Sequence, residues 1–114
     1  MPPSIVVVIR EDPVKTGRAV EALRIALGLG IGSNPLTVVL LNRAPLLLSE
    51  DSDELVDADI LEKHRPVFKE QGTPFLIPEG TRERLSMDAE FNVREVSHSE
   101  IAAILSNADR AIVF

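Results

Sequence analysis

The sequence predicts an α/β domain, a small three-layer sandwich in which a mostly parallel, about five-stranded sheet is flanked by helices. Three observations predict it. Short apolar, β-branched runs alternate with helical spacing along nearly the whole chain. The first such run, IVVVI, has no polar alternation, which is the pattern of a strand buried on both faces of a parallel sheet. The 114 residues amount to a single domain, 1–114, with no long linker and no internal repeat. A chain of that size can bury about two thirds of its unfolded surface without disulfide or metal staples.

Taken in order, Ile5–Ile9 is the first strand, and Asp12-Pro13 marks a turn or helix start with Thr16 as a second cap. From Arg18 to about Gly28, Ala19, Ala22, Leu23, Ala26 and Leu27 fall on one helical stripe. Arg18, Glu21 and Arg24 share the opposite side. Gly28, Gly30 and Gly32 end this helix. Residues 36–41 form the second strand, closed by Asn42-Arg43, and Ala44–Leu48 reads as an apolar turn or short helix. An acidic exposed loop is expected over 49–53. Residues 54–64 have helical spacing with Val56, Ile60 and His64 aligned, and Pro66 should interrupt that helix.

Gly72 ends the segment, and 73–77 is a third strand broken by Pro78-Glu79-Gly80. A helical turn follows over 81–86, then a weaker strand at Val93–Val96. Ser97 with Glu100 has capping-box spacing, and Ser99 is an equally good cap. Ile101, Ile104 and Leu105 give the last helix its buried side, and 111–114 is the final strand.

Composition excludes several function classes. With 12 basic against 18 acidic residues the net charge is −6, and there is no Tyr or Trp on which bases could stack. General nucleic-acid binding is therefore not expected. The longest apolar runs fall far short of the ~20 residues that span a bilayer, and the start lacks a basic leader, so no membrane partner is expected and the cytoplasm is the expected location. No cysteine is present, which rules out disulfides, thiolate metal clusters and thiol chemistry by this chain.

The motifs call for neither a cofactor nor a metal. The run Gly28-Leu29-Gly30-Ile31-Gly32-Ser33 suggests a dinucleotide fingerprint, but its glycines close a helix instead of opening one, and their spacing is wrong. Two isolated histidines, His64 and His98, are too few for a zinc site. His64 reads as a packed or edge residue. Ser97 beside His98 reads as a cap, since adjacent residues rarely form a nucleophile–base pair. No catalytic residue is assigned.

Ligands of open α/β sheets bind beyond the carboxyl ends of the strands. Those ends carry Arg10-Glu11-Asp12, Asn42-Arg43, Pro78-Glu79 and Ser97-His98. Arg10, Asn42, Arg43, Glu79 and His98 are thus the candidates for binding a small polar ligand or a partner. The bland alternative is that they are solvated loop residues.

IVVVIREDP with GRAVEALRIALGL, LTVVLLNRAPLLL, TPFLIPEGTRERLS and the tail EVSHSEIAAILSNADRAIVF together resemble the DsrE/DsrF-like sulfur-relay family, nearest its DsrF/TusC-type members. The resemblance runs end to end. It implies a small α/β sheet that assembles into oligomers, and an active cysteine just after the third strand that takes and passes persulfide sulfur. The matching positions here are Ile77 and Pro78, neither of which can hold sulfur.

The resemblance therefore implies a non-catalytic accessory subunit in a homo- or hetero-oligomer with related, cysteine-bearing chains. Ala44–Leu48 and residues 112–114 would supply interface material, with ordinary core packing as the competing explanation. An alternative is a stand-alone homo-oligomer binding a small anion or nucleotide at the strand ends. An enzyme using His98 as general base is disfavoured, because no orienting partner is visible.

Overall fold

A computed structural model describes residues 3–30, 32, 34–51 and 53–114. Met1 and Pro2, Ile31 and Ser33 of the glycine run and Ser52 of the acidic loop lie outside the described residues. The elements run β1 (Ile5–Ile9), α1 (Arg18–Gly30), β2 (Leu36–Leu40), a 3-10 turn (Ala44–Leu48), α2 (Ala58–Gln71), β3 (Phe75–Pro78), α3 (Thr81–Arg84), β4 (Val93–Val96), α4 (His98–Asn107) and β5 (Arg110–Val113).

The five strands form one sheet in the order β4-β3-β2-β1-β5, and every pairing is parallel. β1 lies between β2 and the edge strand β5, with all five of its residues buried. Its alternation divides the core in two. Ile5, Val7 and Ile9 join Val38, Leu40, Phe75 and Ile77 beneath α1, α2 and the 3-10 turn. Val6 and Val8 join Val39, Leu76 and Val96 beneath Ile101, Ile104 and Leu105 of α4. The alanines of α1 let that helix approach the sheet closely, since Ala19, Ala22 and Ala26 are fully covered. This is the predicted three-layer α/β sandwich, with two long helices on one face and one on the other.

Several local expectations need correction. Residues 54–57 are turns, not helix: α2 begins at Ala58, after Asp57 takes a left-handed conformation (φ 60°). The turn is pinned by the Val56 N–H donating to the Pro13 carbonyl at 2.8 Å. Pro66 sits inside α2 without ending it. Its exposed position confines the lost helical hydrogen bond to the solvent side. The buried stripe of α2 is Leu61, Arg65 and Phe68, whereas Ile60 is exposed and His64 half-buried. Ser49 is buried rather than exposed, its hydroxyl donating toward the carbonyls of Leu46 and Asp51 at 2.8 Å each. Thr73 precedes β3, and β5 starts one residue earlier than expected and ends at Val113. Ser97, not Ser99, caps α4, its hydroxyl accepting from the Glu100 N–H at 3.1 Å. Ala44, Pro45, Leu47 and Leu48 are buried within the chain's own core, which removes most of that turn from any interface.

Candidate functional site

Because every strand is parallel, all five carboxyl ends open on the same edge of the sheet, and the strand order sets which loops are neighbours. Arg10 follows β1, where its N–H donates to the Phe114 carbonyl at 3.0 Å, so it belongs to the β1–β5 side. Asn42 and Arg43 follow β2. The Leu41 N–H donates to the Ile9 carbonyl at 2.9 Å, which seats this loop beside that of β1. Asn42 is left-handed (φ 57°), a conformation asparagine tolerates better than most residues. Arg43 Nε lies 3.6 Å from an Asp12 carboxylate oxygen, so the loops after β1 and β2 also meet through charge.

Glu79 follows β3, and its N–H donates to the Val96 carbonyl at 3.1 Å. His98 is the exposed first residue of α4, and its imidazole makes no hydrogen bond or ion pair among the described residues. The five sequence candidates therefore divide into Arg10 near the tail, Asn42 with Arg43 in the middle, and Glu79 and His98 at the β3–β4 side. The middle pair lines a cavity of about 230 Å³ together with Leu46, Arg84 and Leu85. Arg84 and Leu85 were not among the sequence candidates. They belong to the short α3 and its end, where a four-residue helix leaves too little periodicity to read.

The loop after β3 is stapled shut by a residue that sequence reasoning also missed. One carboxylate oxygen of Glu95 accepts from the Arg82 N–H at 2.8 Å and the other faces the Gly80 N–H at 3.4 Å. The Arg82 guanidinium in turn donates to the Val93 carbonyl at 2.7 Å. Backbone donors that could hold an anionic group beyond β3 are thus occupied by the chain's own carboxylate. Before them stand Ile77, fully buried, and Pro78, half-buried, whose carbonyl accepts from the Thr81 hydroxyl.

Behind this edge lies a buried ionic cluster. The Arg65 guanidinium, 5% exposed, donates to the Leu47 and Ser49 carbonyls at 3.0 and 2.9 Å and to Asp88 at 3.1 Å. It also lies 5.1 Å from the centre of the Phe91 ring, and Lys69 lies 5.0 Å from the same ring. Lys69 Nζ pairs with Asp88 at 2.8 Å and with Glu90 at 3.3 Å. Asp88 is held below the usual carboxylate range, first by the Lys69 ammonium, against the opposing cost of burial and with help from the Glu90 N–H and Arg65. Lys69 is raised correspondingly by Asp88. The cluster ties the 3-10 turn, α2 and the loop before β4 together, so it holds the walls of the strand-end edge in place.

Among the described residues no group of three or more His, Asp or Glu side chains is placed to hold a metal ion, and no helix is long and apolar enough to cross a membrane. No family model matches the chain, and no curated protein sequence matches it. A solved structure does: the YchN protein from E. coli matches over 100% of both chains, with a TM-score of 0.77 and 17% identity. The chain has the fold of YchN. The likeness agrees with the α/β sandwich read from the residues. At 17% identity it speaks to fold alone.

Proposed function

We propose that this chain is a cytoplasmic, non-catalytic accessory subunit of a sulfur-relay-type oligomer, supporting persulfide transfer by a related, cysteine-bearing partner. The observation that carries the proposal is a mismatch between fold and chemistry. The chain follows the YchN fold from end to end, yet the close of β3 is Ile77-Pro78 and there is no cysteine anywhere. Persulfide transfer requires a thiolate that attacks and is attacked at sulfur, and no other side chain substitutes for it. The Glu95 staple supports the same reading, since the loop after β3 is closed by internal hydrogen bonds.

The contact surface of the proposed subunit is the β5 edge. β5 borders the sheet and offers one unpaired row of backbone donors and acceptors. Val113 is 52% exposed there, and Arg110 is the strand's sole charge. The opposite edge, β4, carries Arg94 and Glu95 within its four residues, the kind of charge that discourages pairing.

The test is co-expression with a cysteine-bearing relative encoded in the same genome, followed by size-exclusion chromatography with light scattering. A co-eluting complex that is lost in Val113→Asp, while that variant keeps its circular dichroism spectrum, is the expected outcome. Separate elution of the two wild-type chains would contradict the proposal.

A further inference from the structure

The geometry points to a binding site for a small organic anion, a carboxylate carrying a short hydrocarbon part, in the cavity formed by Asn42, Arg43, Leu46, Arg84 and Leu85. This inference is independent of the accessory role and holds whether the chain works alone or in an assembly. The charge is the first reason. The chain carries six more acidic than basic residues, yet two of the five residues lining this cavity are arginines and none is acidic. Arg84 makes no ion pair among the described residues, and Arg43 has only the loose contact to Asp12 at 3.6 Å, with its side chain 58% exposed. Asn42, also without a side-chain hydrogen bond among the described residues, is a third polar residue of the lining. Guanidinium groups suit carboxylates because their paired N–H groups match the two oxygens.

The walls are the second reason. Leu46 and Leu85 complete the lining, and an inorganic oxyanion would leave them facing its hydration shell. A short alkyl group removes that apolar surface from water while the carboxylate meets the arginines. Size bounds the ligand. The cavity, at about 230 Å³, is below the ~300–1,000 Å³ of pockets that enclose drug-sized molecules. It therefore takes a fragment or one end of a longer molecule. Placement is the third reason: the cavity opens beyond the carboxyl end of β2, where open parallel sheets bind ligands.

The experiment is a titration of the full-length, isotope-labelled chain followed by amide NMR, at constant ionic strength, with three probes: sodium hexanoate, hexan-1-ol and sodium phosphate. Saturable shifts centred on residues 42–46 and 84–85 are expected with hexanoate, with affinity at least about tenfold above either of the other probes. Loss of one charge-assisted hydrogen bond in Arg84→Gln should weaken hexanoate by about tenfold or more. Arg43→Gln should do the same, and both side chains are exposed enough that the fold survives their loss. Phosphate binding as tightly as hexanoate would reduce the site to a bare cationic patch, and hexanol binding as tightly would reduce it to an apolar one. Either result overturns the inference, as do unsaturable shifts, shifts centred elsewhere, or affinity unchanged in both variants.

Discussion

The Arg65 side chain reaches two carbonyls, the Asp88 carboxylate and an aromatic face from inside the core. Arg65→Met would keep apolar volume but leave the Leu47 and Ser49 carbonyls without their donor. Asp88 would keep Lys69, so the loss should lie below that of a fully broken buried pair, at about 2–3 kcal/mol. Urea unfolding with an unchanged slope and a lower midpoint checks this, and a change within about 0.5 kcal/mol would show that water replaces the guanidinium.

Asp88 adds a pH dependence with a definite sign. Its carboxyl is depressed below 3.8 in the folded chain by Lys69, so folding is favoured while the carboxylate is ionised. That contribution is fully present above the ordinary aspartate value and is lost as pH falls through the folded value. Asp88→Asn should therefore lower stability at neutral pH and flatten the acid limb below about pH 4 in pH-dependent urea midpoints. Parallel acid limbs in the two proteins would refute it. Lys69 acts in the opposite range, since its contribution holds below 10.5 and is lost as pH rises through its elevated folded value.

None of this cluster was legible in the sequence. An arginine at a helix position reads as solvent-facing, and counting it as polar shifted the predicted stripe of α2 to Val56, Ile60 and His64. The true stripe, Leu61, Arg65 and Phe68, has ordinary helical spacing once a satisfied guanidinium is allowed inside. Glu95 escaped for a related reason, because a charged residue in a weak edge strand gives no sign that it will cap the loop across from it.

At the scale of elements, local signals performed where they were continuous. The five-residue run of β1, the Arg18 start of α1, the 3-10 turn at Ala44–Leu48 and β4 at Val93–Val96 coincide with their predicted bounds. They failed where the backbone departs from common conformations. Asp57 in the left-handed region delays α2 by several residues, and nothing in its neighbours announces that turn. Pro66 looked like a break because its ring usually clashes with the preceding turn. Its tolerance on the exposed face leads to a prediction: Pro66→Ala should raise the stability of the protein by about 1–3 kcal/mol, since it restores a helical donor in an already helical segment. A lower melting temperature in Pro66→Ala would mean that the bend at this point is needed for α2 to seat Leu61 and Phe68 together.

For the whole molecule, alternation of strands and helices was enough to read a mostly parallel three-layer fold, because a parallel sheet demands crossovers and long apolar runs. The order β4-β3-β2-β1-β5 was not readable, since the return of β5 to β1 depends on the path of α4 across the second face. The same limit applied to the site. That ligands of parallel sheets meet the strand ends is a rule of topology, and of the residues it singled out, Asn42 and Arg43 line one cavity. Which other loop would close that cavity depended on the neighbouring strand, and so Arg84 and Leu85 emerged only in three dimensions. The absence of cysteine was legible at once and bears most on function, since it separates this chain from thiol chemistry whatever fold it adopts.

The accessory role requires this cysteine-free chain to work beside a cysteine-bearing one. Native mass spectrometry of the protein purified gently from its own host tests this most directly. The expected result is an assembly of fixed stoichiometry containing a related, cysteine-bearing subunit. A monomer or a pure homo-oligomer would contradict it and leave the cavity at Arg43 and Arg84 as the place to look for function.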